Sequence, residues 1–139
     1  TLPEKLHVTV EGASSYYTVS RSLERIGDHG VRIASHVPVL LKHKVGDEVV
    51  HAMKAATETA MAILDSSMRS LFSSDIVDAN RTIDMVGDLT RMTDGISALA
   101  HEKTGEVALS IGYIAESIRR AGEYSADISE AIINQIIRD

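Results

Sequence analysis

Residues 22–33 read SLERIGDHGVRI, and residues 117–128, near the other end of the chain, read SIRRAGEYSADI. The two stretches have Ser, Arg, Gly and Ile at the same offsets, and in each an acidic residue follows the first Gly. Apolar residues recur in both at steps of three and four, which is the spacing of an amphipathic α-helix. The two stretches therefore predict two helices with related patterns of acidic side chains.

The composition favours a small all-helical domain. The chain has 139 residues, enough for one core, and 44% of them are hydrophobic while only 4% are aromatic. A core made of Ile, Val, Leu, Ala and Met suits helices better than a β-sandwich. The absence of Cys excludes disulfides and thiol catalysis, and it fits a reducing, cytoplasmic location.

The charge and the apolar runs restrict the partners. The net charge is −6, and no basic run is present, so we expect no nucleic-acid partner. A membrane-spanning helix needs about 20 consecutive apolar residues, and the chain has no such run. We therefore expect a protein that does not span a membrane.

Few helix-breaking residues occur, which favours long helices. Pro is found only at positions 3 and 38, and Pro38 is expected to kink the first helix or end it early. The predicted helices cover residues 14–43, 47–72, 75–101 and 105–138, with Asp47 and Asp75 as the expected N-caps of the second and third. Short loops between helices of similar length predict an antiparallel up-down four-helix bundle over residues 14–139. Residues 1–13, with the strand-like stretch LHVTV, are predicted to form an extended N-terminal arm.

The predicted inner face of the first helix places the motif acids on the outside. That face follows a heptad row: Val19, Leu23, Ile26, Gly30, Ile33, Val37 and Leu40. Glu24 and Asp28 then lie one turn apart on the outer face, and so do Glu123 and Asp127 on the last helix. Carboxylate oxygens suit magnesium, calcium, manganese or iron better than copper or structural zinc. The four acids are candidate metal ligands. The alternative is a solvated face in which Arg25 pairs with Asp28, Arg119 with Glu123, and Arg120 with Glu116 along their own helices.

The stretch SLERIGDHGVRIA resembles the signature helix of the PhoU family of phosphate-uptake regulators, which carries an acid-x-x-x-Asp motif. The second, third and fourth predicted helices resemble one three-helix repeat of that family, and the first helix resembles the last helix of a preceding repeat. Family members have two such repeats, so we expect this chain to be a C-terminal piece of a longer protein or a shortened relative. The resemblance implies a PhoU-like helical bundle.

The resemblance also implies a function. PhoU-type proteins are non-enzymatic regulators of phosphate uptake and signalling that contact a phosphate transporter ATPase or a sensor kinase, peripheral to the membrane. Their acidic motifs can bind metal ions, including iron and zinc clusters. Carried over, the first motif is Glu24 and Asp28, with iron, zinc, manganese or magnesium as the candidate ion. The second motif departs from the family pattern because Arg119 replaces its first acid, and only Glu123 and Asp127 continue the spacing.

Other residues and motifs give weaker evidence of a functional site. His29, His36 and His43 recur every seventh residue and are predicted to flank the inner face, with His29 the one that could join a metal site. No nucleotide-binding loop or nucleophile with its base is evident, so we expect no enzyme. The family resemblance favours a homodimeric adaptor. The alternative is a helical oligomerisation module of a cation-transport regulatory protein, with no metal role.

Overall fold

The structure, a computed structural model, describes the backbone of residues 10–138 and the side chains of residues 13–137. In this part of the chain it has four α-helices and no β-strand: α1 Val10–His43, α2 Asp47–Ser73, α3 Ile76–Ala100 and α4 Gly105–Arg138. None of these described helices is long and apolar enough to cross a bilayer. The all-helical fold predicted from the composition is confirmed.

The helix bounds are largely those predicted. The ends of α2, α3 and α4 agree with the predicted ends to within about one residue. The first helix begins at Val10, so residues 10–13, which were assigned to the extended arm, are helical. The rest of the predicted arm, residues 1–9, lies outside the described residues. The helix also continues through Pro38 to His43, so the prediction of an early end there is wrong.

Individual residues in the loops determine where the helices begin. Between α1 and α2, Gly46 has φ 92°, a conformation that glycine adopts without the steric cost of a Cβ. Gly46 therefore occupies the N-cap position, and Asp47, expected to cap α2, is instead its first residue. Asp75 caps α3 as predicted, because its side chain accepts hydrogen bonds from the Val77 and Asp78 amides at 2.9 and 3.2 Å.

Consecutive helices run in opposite directions. Ser66 Oγ on α2 lies 2.6 Å from Thr82 Oγ1 on α3, and Thr59 Oγ1, further back along α2, lies 3.4 Å from Met92 Sδ, further forward along α3. The first and last helices are antiparallel as well, as their ring and ion-pair contacts show. This is the up-down bundle that the short loops predicted.

The last helix, α4, is the centre of the bundle. It packs against each of the other three helices, whereas α1 packs almost entirely against α4. The main core lies between α2, α3 and α4, and its fully or nearly fully buried large side chains are Val49, Ile63, Leu89, Ile96, Ile111, Ile114 and Ile118. A smaller core beside α1 contains Val19, Ile128 and Ile132. The bundle is therefore a three-helix unit with α1 laid along its central helix.

The inner face of α1 differs from the predicted heptad row. Ile26, Ile33 and Leu40 pack against the two cores as predicted. Leu23 and Val37 are instead 39% and 38% exposed. A heptad row buries both of its edges only when helices lie on both sides of it, and α1 has a close neighbour on one side only. The positions that turn toward α4 in place of Leu23 and Val37 are Ser22, His29 and His36.

We predict that Gly122→Ala lowers the free energy of unfolding. A Cβ at Gly122 would collide with the Leu89 side chain and press on Ile63, and both of these side chains are fully buried. Overpacking of a core costs about 1–3 kcal/mol, which exceeds the gain of up to about 1 kcal/mol from replacing glycine in a helix. Urea denaturation checks the result.

Gly95→Ala is the matched control, because a Cβ at Gly95 on α3 would meet no atom within 4 Å. This variant should gain about 0.5–1 kcal/mol. Equal stabilisation of both variants would contradict the close packing of α3 and α4 at Gly122.

Candidate functional site

The four motif acids are spread over three environments. Glu24 and Asp28 are exposed on α1, whereas Glu123 and Asp127 are half-buried on α4. Among the described residues, no three His, Asp or Glu side chains come together as a metal site would require. Metal binding by these four acids therefore stays a prediction, and each acid is best understood from its neighbours.

Glu123 is bound by two arginines of its own helix. It accepts hydrogen bonds from Arg119 Nη1 and from Arg120 Nη1, the latter at 3.2 Å. Arg119 also reaches back to Glu116, with Nη2 at 2.6 Å from Oε1, and this hydrogen bond is the main reason that the pKa of Arg119 is raised. The predicted pair Arg119–Glu123 is confirmed, whereas Arg120 pairs with Glu123 rather than with Glu116. Glu123 is thus already charge-compensated.

Asp127 lies in a depression that Thr18 of α1 and Glu130 and Asn134 of α4 also line. Burial raises the pKa of Asp127, and the negative charges of Glu130 and Glu123 raise it further against the opposing effect of Arg120. A carboxylate in these surroundings is less stable in its ionised form than it is in water. Asp127 is the one motif acid whose environment disfavours its charge.

Asp28 lies among arginines. It lines a surface cavity of about 450 Å³ between α1 and α4, here called the arginine cavity. The other lining residues are Arg25, His29, Arg32, Glu116, Arg120 and Tyr124. The antiparallel packing brings Asp28 to the height of the α4 motif, and three of the six other residues that line the cavity there are arginines. The expected Arg25–Asp28 ion pair is not found in the described part of the chain.

The three histidines of α1 mark its line of contact with α4. The His29 ring stacks on Tyr124 with centroids 5.9 Å apart, and the His36 ring stacks on Tyr113 at 5.0 Å. His43 Nε2 lies 3.3 Å from Glu106 Oε2. The heptad spacing of the histidines thus serves helix packing, and each one meets a different partner.

His29 also borders the arginine cavity. Its Nδ1 atom is buried and has no hydrogen-bond partner among the described protein atoms. Burial lowers the pKa of His29, and the positive charges of Arg32 and Arg120 lower it further, against the smaller opposing effects of Asp28 and Glu116. The cavity therefore has a positive potential at the histidine ring despite its two carboxylates.

A second surface lies on the opposite flank of α1. It is an apolar groove with a cavity of about 160 Å³, here called the α1–α2 groove. Its floor is α4, and its walls are α1 and α2; the lining residues are Ile26, Gly30, Ile33, Thr57, Ala60, Met61, Leu64, Ile118, Ala121 and Ser125. The groove exists because α1 packs on α4 and leaves a gap to α2.

The wall that α1 presents to this groove continues along the helix as a row of exposed apolar and small residues, here called the open stripe. Its members follow steps of three and four: Tyr16, Ser20, Leu23, Gly27, Gly30, Ala34, Val37 and Leu41. The stripe is roughly 37 Å long at 1.5 Å per residue. A Cβ at Gly27 or Gly30 would meet no atom within 4 Å, so the centre of the stripe is open. The stripe was visible in the sequence as a heptad pattern, but that pattern was assigned to the core: Leu23, Gly30 and Val37 belong both to the stripe and to the predicted inner face.

We predict that Asp127→Asn raises the free energy of unfolding at pH 7. The folded-state pKa of Asp127 lies above its unfolded value of 3.8, so ionisation costs stability as pH rises through that interval, and the cost is complete above the folded pKa. Asn removes the charge and keeps the shape of the side chain. The measurement is urea denaturation at pH 7 and again at pH 3.5, where the difference should shrink.

Asp88→Asn is the control, because Asp88 is exposed on α3 and forms a surface ion pair with Arg91. Its loss should change stability by less than about 1 kcal/mol. Destabilisation by Asp127→Asn at pH 7 would contradict the assignment of an unfavourable charge to Asp127.

Comparisons of this chain with models of known families, with curated proteins and with solved structures find no match. The case for any function therefore depends on three features: the motif of residues 22–33, the α1–α2 groove and the arginine cavity.

Proposed function

We propose that the protein is a non-enzymatic regulator of phosphate uptake or signalling of the PhoU type, which acts as a dimeric helical adaptor. The observation that carries the proposal is the apolar α1–α2 groove, whose cavity of about 160 Å³ lies between α1 and α2. The resemblance of residues 22–33 to the PhoU signature is the reason for proposing phosphate uptake or signalling as the regulated process. On this proposal the adaptor contacts a phosphate transporter ATPase or a sensor kinase at the cytoplasmic face of the membrane.

The groove is suited to another helix. Met61 on its α2 wall is 64% exposed, and Val50 and Phe72, each about three helical turns from Met61, are 50% and 83% exposed. The open stripe forms the facing wall. Exposed apolar residues along both walls of a groove are typical of protein interfaces.

A second copy of the chain is the occupant that we propose. From Leu23 to Val37 the open stripe has large residues at both ends and glycine or alanine between them, so it reads alike in either direction. An antiparallel α1–α1 contact about a two-fold axis would then pair the large residue at one end of this segment with the large residue at the other end, and the two glycines between them permit close approach. Each α1 would then lie against the partner's open stripe and its α2 wall.

The charges of the two helices agree with this arrangement. The α1 helix has four basic and three acidic residues, whereas α2 has two basic and four acidic residues. Each of the other helices has more acidic than basic residues, so of the four described helices α1 is the best electrostatic match for a neighbouring α2 wall. Complementary charge contributes mainly to specificity and association rate.

We predict that Gly30→Glu prevents dimerisation and leaves the monomer folded. The new side chain projects into open space in the monomer but would place a carboxylate in the apolar centre of the proposed interface. Analytical ultracentrifugation measures the association, and circular dichroism checks the helix content. Gly95→Glu is the control, because Gly95 is an equally open glycine on α3, away from the groove. A monomeric wild type, or a dimer that tolerates Gly30→Glu, would contradict the dimer.

The regulatory role is tested in the organism that encodes the chain. Deletion of the coding sequence should raise uptake of radiolabelled phosphate in phosphate-rich medium. Wild type and Gly95→Glu should restore low uptake, whereas Gly30→Glu should behave like the deletion. Uptake that is unchanged by the deletion would contradict the regulatory role and leave the dimer to be judged by its own measurement.

A second candidate function is a helical oligomerisation module of a cation-transport regulatory protein, in which the motif acids have no metal role. The hydrogen bonds of Glu123 to Arg119 and Arg120 favour it, as does the position of Asp28 among arginines. In this case the dimer would form through the same groove without metal.

Metal analysis of the purified protein separates the two candidates. If the PhoU-type metal role is correct, the protein should contain stoichiometric iron, zinc, manganese or magnesium, which Glu24→Ala with Asp28→Ala should remove. The control is Asp84→Asn with Asp94→Asn, which removes two exposed acids of α3. A metal-free protein that dimerises equally well without Glu24 and Asp28 would instead favour the oligomerisation module.

A further inference from the structure

The arginine cavity concentrates positive charge in a chain whose net charge is −6. Arg25 and Arg32 reach it from α1, and Arg120 reaches it from α4. Three guanidinium groups that face one space repel each other unless an anion lies between them. The nearby carboxylates would supply that anion only if they were paired with these three arginines.

The carboxylates of α4 near the cavity already accept hydrogen bonds from an arginine outside it. Glu116 and Glu123 both accept hydrogen bonds from Arg119, which is not among the residues that line the cavity. Arg120 is paired with Glu123, but in the described part of the chain neither Arg25 nor Arg32 has an ion-pair partner. Asp28 is the one lining carboxylate without an arginine bound to it, so the cavity keeps an excess of positive charge.

The neutral groups of the cavity are also suited to an anion. Tyr124 accepts a hydrogen bond from Arg120 Nη2 at 3.0 Å, which leaves its own O–H free to donate. The Arg120 guanidinium lies 5.0 Å from the centre of the Tyr124 ring, so Tyr124 contacts it through both its hydroxyl and its ring. His29 also lines the cavity, and its Nδ1 is one of two buried side-chain polar atoms of the described residues that lack a hydrogen-bond partner.

We propose that the arginine cavity binds a small oxyanion of the phosphate class, held by Arg25, Arg32 and Arg120. The planar fork of a guanidinium donates two parallel hydrogen bonds to such an anion, and three forks suit a doubly charged tetrahedral anion better than a single carboxylate. The volume of about 450 Å³ exceeds that of phosphate alone. It therefore admits either free phosphate with water or the phosphoryl group of a small monoester.

This site goes beyond the proposed adaptor role and is independent of the dimer. The arginine cavity and the α1–α2 groove share no lining residue, and they lie on opposite flanks of α1. A protein that fails to dimerise can still bind the anion, and a dimer can form without it. Failure of one proposal is therefore visible separately from failure of the other.

The test is calorimetric titration of the purified protein with inorganic phosphate and, separately, with methyl phosphate, at constant ionic strength in chloride. Arg25→Gln with Arg32→Gln should weaken binding roughly tenfold or more, since two charge-assisted hydrogen-bonding groups are lost. The control is Arg69→Gln with Arg91→Gln, which removes the same charge from two exposed ion pairs on α2 and α3. The control variant should bind as the wild type does.

A second readout locates the anion. Addition of phosphate should shift the backbone amide signals of His29 and Tyr124 in a ¹H–¹⁵N NMR titration, because both residues line the cavity. The amide signal of His51 should not move, since His51 is exposed on α2 outside the cavity. The tighter of the two ligands identifies the source of the phosphoryl group. Absence of binding, equal weakening in both double variants, or unchanged His29 and Tyr124 signals would overturn the proposal.

Discussion

The fold depends on the burial of α4 against three helices at once. A helix in that position must be narrow where its neighbours come close and bulky where they do not, and α4 meets this demand by alternating large and small buried residues. Ile111, Ile114, Ile118 and Ile128 fill the cores, while Gly122 admits the Leu89 side chain. Buried serines supply further small positions, and Ser67 of α2 donates a 2.7 Å hydrogen bond to the Ser125 carbonyl of α4. Such contacts fix the rotation of α4, and this rotation decides what α1 encounters.

The repeated 3.6-residue period predicted the helices well, because it depends only on local spacing. On α4 most of the large apolar residues that follow this period are buried, because α4 packs against three other helices. On α1 the same rule failed at Leu23 and Val37. Apolar spacing identifies a face that is able to be buried, but it does not say which neighbour covers it. The face that α4 covers contains His29 and His36, whose rings stack on tyrosines of α4. The residue pattern of α1 alone does not predict these partners.

The charged motif shows the same limit. Two acids one turn apart, as Glu24 and Asp28 are, read as a candidate cation site when α1 is considered alone. The bundle brings Arg120 into the same cavity as Asp28 from the other side, and Arg32 and Arg120 together add to the burial that lowers the pKa of His29. Arg25 and Arg32 are seven residues apart, so the sequence alone predicts that they lie on one face of α1. The sequence alone does not predict that Arg120 lies beside them, because this depends on the antiparallel register of α1 and α4 in the folded bundle.

The two candidate surfaces lie on the helix that is least buried. Among the described side chains of α1, only Val19 and Ser22 are buried, whereas α4 contributes buried residues along most of its length. Segments with few buried apolar contacts open at lower free-energy cost than the core of the same domain. The first helix is therefore the element with the smallest share in the buried cores, and it forms one wall of both the α1–α2 groove and the arginine cavity. Most of its side chains are thus left to line surfaces, with one candidate surface on each flank.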